Sequence, residues 1–141
     1  MAVICDTGAV YALYDADDAH HQSVRAQIEA EFGPFLLPVI LLAEIDYLLT
    51  ARLGAKAAID FVESIEQGSF ELVLPEPSDL TRIHELMTTY GDLRLGIADA
   101  SVVATAERLN VDRILTLDHR HFRVIQPRGM AHFVLLPTDR T

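Results

Sequence analysis

Apolar residues along this chain fall into short continuous runs and longer stretches at helical spacing. Ala2–Cys5 is wholly apolar and brief, the pattern of a strand buried on both faces. Thr7–Tyr14 predicts a helix, followed by a polar break over Asp15–Asp18, where Asp17 or Asp18 caps a second helix. That helix runs to about Phe32, where Gly33-Pro34 stops it. Phe35–Leu37 predicts a brief strand, and Pro38 opens an apolar helix to Leu53, closed by Gly54. Ala55–Gln67 predicts a further helix ending at Gly68, and Ser69–Leu74 alternates as a strand up to Pro75. Ser78–Tyr90 and Ile97–Leu109 read as helices closed by Gly91 and Asn110. Arg113–Leu117 reads as a strand, and Arg123–Ile125 and His132–Leu136 are further strand candidates.

Strands near residues 3, 72 and 115 thus alternate with helices. This order predicts an α/β fold, a sandwich around a mainly parallel central sheet. In such sheets ligands bind outside the carboxyl ends of the strands. No repeat, low-complexity tract or linker interrupts the pattern, and 141 residues fit a single domain over 1–141.

Against this pattern, four of the 21 acids are out of place. Asp6 follows Ala-Val-Ile-Cys and Asp118 follows Arg-Ile-Leu-Thr-Leu, each at the carboxyl end of a predicted strand. If those strands are parallel neighbours, both acids emerge on one edge of the sheet. Glu44 lies inside Val-Ile-Leu-Leu-Ala-Glu-Ile and borders the core face of its helix; Asp99 shares a helix face with Val103 and Ala106. Desolvating an ionised carboxylate is costly unless it is paired or bound to metal. Clustered like charges raise each other's pKa, and a hard divalent cation relieves both penalties. Carboxylate oxygens suit Mg²⁺ and Mn²⁺, which support phosphodiester hydrolysis. Structural roles compete: Asp6 and Asp118 are placed to cap helices, and Glu44 to pair with Arg52 or Lys56. Thr7 and Thr116 are placed either to orient a carboxylate or to cap an amide. Asp46 points to another side of its helix from Glu44, and Asp92 reads as a cap or a supporting group for the Asp99 helix.

The charge balance qualifies this picture. The net charge of −10 disfavours nonspecific nucleic-acid binding but favours a basic protein partner. It is unevenly spread: residues 1–93 hold 16 acids and 4 bases, whereas residues 94–141 hold 5 acids and 7 arginines, Arg140 among them. Arginine suits phosphate recognition, so this last third is a modest basic region in an otherwise acidic chain. His119 and His121 beside Asp118 are further candidates for phosphate contact, but no histidine spacing matches a zinc site. Gly91–Gly96 lacks the Lys and spacing of a phosphate-binding loop. No apolar run reaches the ~18–20 residues of a membrane span, and no secretory signal is visible. The one cysteine, Cys5, excludes an internal disulfide and fits a cytoplasmic setting.

Val3-Ile-Cys-Asp-Thr-Gly-Ala-Val, Leu42-Ala-Glu-Ile-Asp-Tyr-Leu-Leu, Leu95-Gly-Ile-Ala-Asp-Ala-Ser-Val-Val-Ala and Ile114-Leu-Thr-Leu-Asp-His-Arg-His-Phe together resemble the PIN-domain family, the VapC toxins in particular. The resemblance extends to about Pro137. It implies a Rossmann-like three-layer α/β/α sandwich and an Mg²⁺- or Mn²⁺-dependent endoribonuclease. Asp6, Glu44, Asp99 and Asp118 match the family's acidic pocket, with Thr7 matching the Ser/Thr after the first acid. The resemblance also implies a homodimer, a VapB antitoxin whose C-terminal segment covers the pocket, and cleavage of transfer RNA or the sarcin–ricin loop of ribosomal RNA. Two other readings are disfavoured. A haloacid-dehalogenase-like phosphatase wants an Asp where Gly8 stands, and a receiver-type phosphoacceptor needs a Lys late in the chain, where none occurs. A non-catalytic binding module is the remaining alternative.

Overall fold

The computed structural model describes residues 1–139; Arg140 and Thr141 lie outside the described residues. The chain folds as β1 (Val3–Cys5), α1 (Thr7–Tyr14), α2 (His21–Ala30), β2 (Phe35–Pro38), α3 (Leu42–Leu53), α4 (Ala55–Glu66) and β3 (Glu71–Val73), then α5 (Pro77–Thr89), α6 (Ile97–Leu109), β4 (Arg113–Leu115), α7 (His119–Val124) and β5 (Val134–Leu136). The strands form one sheet in the order β3-β2-β1-β4-β5, every neighbouring pair parallel.

Side chains alternate between the two faces of a strand, yet Val3, Ile4 and Cys5 are all at most 1% exposed. Both faces of the sheet are therefore covered, as a parallel sheet requires. Helices α1 to α4 pack on one another, while α5 and α6 form a second pair that reaches β1 and β2 through α6. These two helix groups and the sheet make the expected three layers. The core stripe of α3 is Ile45 and Leu49, continuing Leu41 before it, all fully buried; this i, i+4 spacing keeps one face of the helix inward. Ion pairs lock α5 to α6: Arg108 holds Asp79 at 3.0 Å and Arg82 holds Glu107 at 2.7 Å.

Three elements differ from expectation. Pro38 closes β2 instead of opening a helix, and a 3-10 turn over Val39–Leu41 precedes α3. Neither Asp17 nor Asp18 caps α2: Asp18 instead accepts from the His20 amide at 2.8 Å in a turn, delaying the helix to His21. Such local Asp–backbone bonds compete with helix initiation. Arg123–Ile125 is not a strand, because Asp118 caps α7, which carries the chain helically to Val124. Phe122 of α7 is buried against Phe133; this packing overrides the β preference of Val124-Ile125.

Candidate active site

Chain order along the sheet reverses at β1. Strands β2 and β3 lie on one side of it and β4 and β5 on the other. The carboxyl ends of β1 and β4 therefore flank the crevice where ligands bind in open α/β sheets. Cys5 pairs in register with Leu115, which brings Asp6 beside Thr116. Asp6 is 5% exposed and Thr116 fully buried. The Thr116 hydroxyl donates to Asp6 Oδ2 at 2.8 Å, and the Thr7 amide donates to Oδ1 at 2.9 Å. Thr116 also accepts from the Asp118 amide at 3.1 Å, so one hydroxyl joins the two strand-end acids. Asp6 and Asp118 do cap α1 and α7, and capping leaves each carboxylate turned to the same edge.

Asp99, in the first turn of α6, joins Asp118 in a tighter set that does not include Asp6 or Glu44. Ligand atoms of Asp99, Asp118 and His121 all lie within 4.8 Å of one another. His121 Nδ1 donates to Asp99 Oδ2 at 2.5 Å, and its Nε2 donates to the Leu93 carbonyl at 2.9 Å. Both ring nitrogens face oxygens, so with Asp99 ionised the ring makes both bonds as the imidazolium. Burial opposes that charge, but Asp99 and the Leu93 carbonyl outweigh it and hold the His121 pKa above its ordinary value. Burial lifts the Asp99 pKa; His121 pulls against this, and the charges of Asp118 and Glu44 add to it. Glu44 itself is exposed, contrary to the expectation that it borders the core: the buried stripe runs through Ile45, which turns Glu44 outward. It pairs with neither Arg52, which lies 5.0 Å over the Tyr11 ring, nor Lys56, which holds Asp60 at 3.1 Å.

Burial pushes Asp6 up to about 7, reinforced by the Asp99 and Asp118 charges and only partly offset by the Thr116 and Thr7 bonds. Electrostatics thus link Asp6, Asp99 and Asp118 directly, with Glu44 acting on Asp99 from the rim.

The PIN domain family model matches residues 3–126. The chain belongs to the PIN-domain family. Ribonuclease VapC26 of Mycobacterium tuberculosis (strain ATCC 25618 / H37Rv) is 33% identical over 135 residues, which span 96% of this chain and 100% of that protein. The fold matches M. tuberculosis VapC20, described as a sarcin–ricin loop cleaving toxin, with a TM-score of 0.75 at 20% identity over 85% of this chain and 92% of that one. It also matches a toxin–antitoxin complex from Klebsiella pneumoniae, with a TM-score of 0.70 at 16% identity over 88% and 92% of the two chains. The relationship to VapC26 places the chain among the VapC-type PIN domains.

Within this PIN domain two acids are equally buried but differ in their partners. Asp79 is 4% exposed and has Arg108 as its cation, whereas Asp6, equally buried, has none among the described residues. Asp79 stands on a polar-looking stretch and carried no signal of burial in the sequence. Thr7 presents a buried hydroxyl with no hydrogen-bond partner beside Asp6. His121 was readable only as a phosphate contact, and its hold on Asp99 depends on α7 being a helix. Asp92 is exposed, and α6 has no side-chain cap, so Asp92 is not one. Asp46 borders a shallow cleft with Ile59, Val62 and Glu63. Most of the C-terminal arginines are already paired: Arg108 with Asp79, Arg113 with Glu31, Arg123 with Asp139 and Arg128 with Glu85. Arg120 reaches only Asp118, at 3.4 Å, and Arg94 is exposed with no ion pair among the described residues.

Proposed function

We propose that this PIN domain is an Mg²⁺- or Mn²⁺-dependent endoribonuclease toxin, with Asp6, Glu44, Asp99 and Asp118 holding the cation. The supporting observation is Asp6: a carboxylate 5% exposed, facing two other carboxylates, with no cationic partner among the described residues. Such a group is unfavourable as an anion unless a cation joins it. The donor set fits a hard cation: two carboxylates, Asp99 and Asp118, come together. His121 is engaged through both nitrogens, so its role is to orient Asp99 and not to supply a ligand.

The bound cation supplies Lewis-acid stabilisation of the charge that develops on the phosphate. The chain's own groups do the rest. Thr116 fixes the Asp6 carboxylate and, through the Asp118 amide, the spacing between the two strand-end acids. His121 holds the inner oxygen of Asp99, leaving its other oxygen to the site. The exposed guanidinium of Arg94, which has no ion pair among the described residues, is placed to receive a phosphate of the substrate.

We further propose a structured RNA target, transfer RNA or the sarcin–ricin loop, cut in the cytoplasm so that translation stops. A homodimer silenced by a VapB-type antitoxin fits the toxin–antitoxin relatives. Incubating the purified protein with total RNA in Mg²⁺ or Mn²⁺, with and without EDTA, tests the nuclease reading. Discrete fragments that EDTA abolishes support it; fragments that persist in EDTA, or intact RNA throughout, reject it. Calorimetric titration of Mn²⁺ into wild-type and Asp99→Asn protein tests the cation site without reference to turnover.

A further inference from the structure

A cleft of about 370 Å³ opens next to Asp118, lined by His20, Ser23, Leu117, His119, Pro137 and Thr138. This size lies at the small end of the ~300–1,000 Å³ range of ligand pockets. Leu117 and His119 flank Asp118 in the chain, so the cleft adjoins the strand end that carries Asp118, although Asp118 itself does not line it. Its chemistry differs from that of the rest of the surface. In a chain of net charge −10, no carboxylate, lysine or arginine lines it. Leu117 and Pro137 supply apolar surface, and the other four side chains carry hydroxyls or imidazoles. His119 Nε2 lies 3.2 Å from the Thr138 hydroxyl, which ties the β4–α7 connection to the segment after β5. On the opposite wall the Ser23 hydroxyl donates to the His20 carbonyl at 3.0 Å, steadying the start of α2.

The lining has no lysine or arginine to hold a phosphate. A nucleobase needs the combination present here: flat surface for its π-face, and neutral donors and acceptors for its edge. Histidine serves as a stacking partner for splayed RNA bases. One cation lies just outside: Arg120 follows His119, and its side chain is 83% exposed although it reaches Asp118 at 3.4 Å.

We infer that this cleft is a nucleobase subsite, which receives one unstacked base of the RNA beside the cut phosphate and thereby selects where the strand is cleaved. The inference rests on the nuclease reading above. It also explains how an acidic protein would engage RNA: one base is captured in a neutral cleft instead of the backbone being held by a broad basic face.

The test uses a stem-loop RNA that the wild-type protein cleaves, with a single abasic site walked through the positions around the cut. Stacking of one base makes a difference of roughly tenfold, so kcat/KM should fall about tenfold when the abasic site occupies one particular flanking position. Ser23→Phe, which fills the cleft from the α2 side, should cut the intact RNA about tenfold more slowly and erase the abasic penalty at that position only. His20→Ala removes a wall without filling the cleft. His20 makes no side-chain capping bond, so this variant keeps the fold if Ser23→Phe does not, and it should shrink the same penalty. An absent penalty at every position, or a penalty unchanged in the folded variants, overturns the subsite while leaving the nuclease reading intact. Failure of the wild type to cleave any RNA in Mg²⁺ or Mn²⁺ overturns the nuclease reading itself, and the subsite with it.

Discussion

Replacing Asp6 by Asn should make the protein more stable at neutral pH as it abolishes cleavage. Burial, with Asp99 and Asp118 nearby, raises the Asp6 pKa from 3.8 to about 7 in the folded chain. In the unfolded chain the carboxyl returns to the ordinary value. Below about pH 4 it is neutral in both states and imposes no penalty. As pH climbs from there towards 7, the unfolded state ionises and the folded state does not, so stability falls by about 1.4 kcal/mol per pH unit. Above the folded pKa the loss levels off at about 4 kcal/mol. Asn avoids this loss and preserves the local bonds: its carbonyl accepts from the Thr7 amide, and its NH₂ donates to the Thr116 hydroxyl. Urea unfolding followed by circular dichroism at pH 4, 6 and 8 in EDTA measures the difference. The variant should match the wild type at pH 4 and exceed it by up to about 4 kcal/mol at pH 8, a gain of roughly 10 °C in Tm. Mn²⁺ at a hundred times its Kd should return about 2.7 kcal/mol to the wild type and little to the variant. A variant less stable than wild type at pH 8, or a gap that does not vary between pH 4 and 8, would refute the electrostatic account of the site.

Three other substitutions separate the site from its scaffold. Glu44→Gln should reduce RNA cleavage by tenfold or more with unfolding free energy within about 0.5 kcal/mol of wild type, because Glu44 is exposed; full cleavage activity would remove it from the site. Arg108→Ala leaves Asp79 buried without its cation and should cost about 2–3 kcal/mol in denaturant titration, with the cleavage rate unchanged in the folded fraction. Thr116→Val removes a donor that favours ionised Asp6; the acid limb of the pH–rate profile should move upward by about one unit, and an unmoved limb would show that Thr116 only packs.

Most of the elements, and the acids that stand out of place among them, were legible in the local pattern of the chain. Buried parallel strands read as unbroken apolar runs, and helices as apolar positions at 3.6-residue spacing, because both signals are local. An acid directly after such a run, as with Asp6 and Asp118, is conspicuous for the same reason. Which groups meet depends on the three-dimensional fold. Thr116 reaches Asp6 from 110 residues away and Arg108 reaches Asp79 from 29 residues away; nothing in the local pattern distinguishes the carboxylate that acquires a cation from the one that does not. The same holds for His121, which reaches Asp99 only because α7 forms against Phe133, and for the arginines, most of which are bound to acids of the protein itself. Periodicity along a chain fixes which face of an element is apolar. The electrostatic environment of a charged side chain is set by neighbours that folding brings from elsewhere, and that environment decides whether it stabilises the fold or holds a ligand.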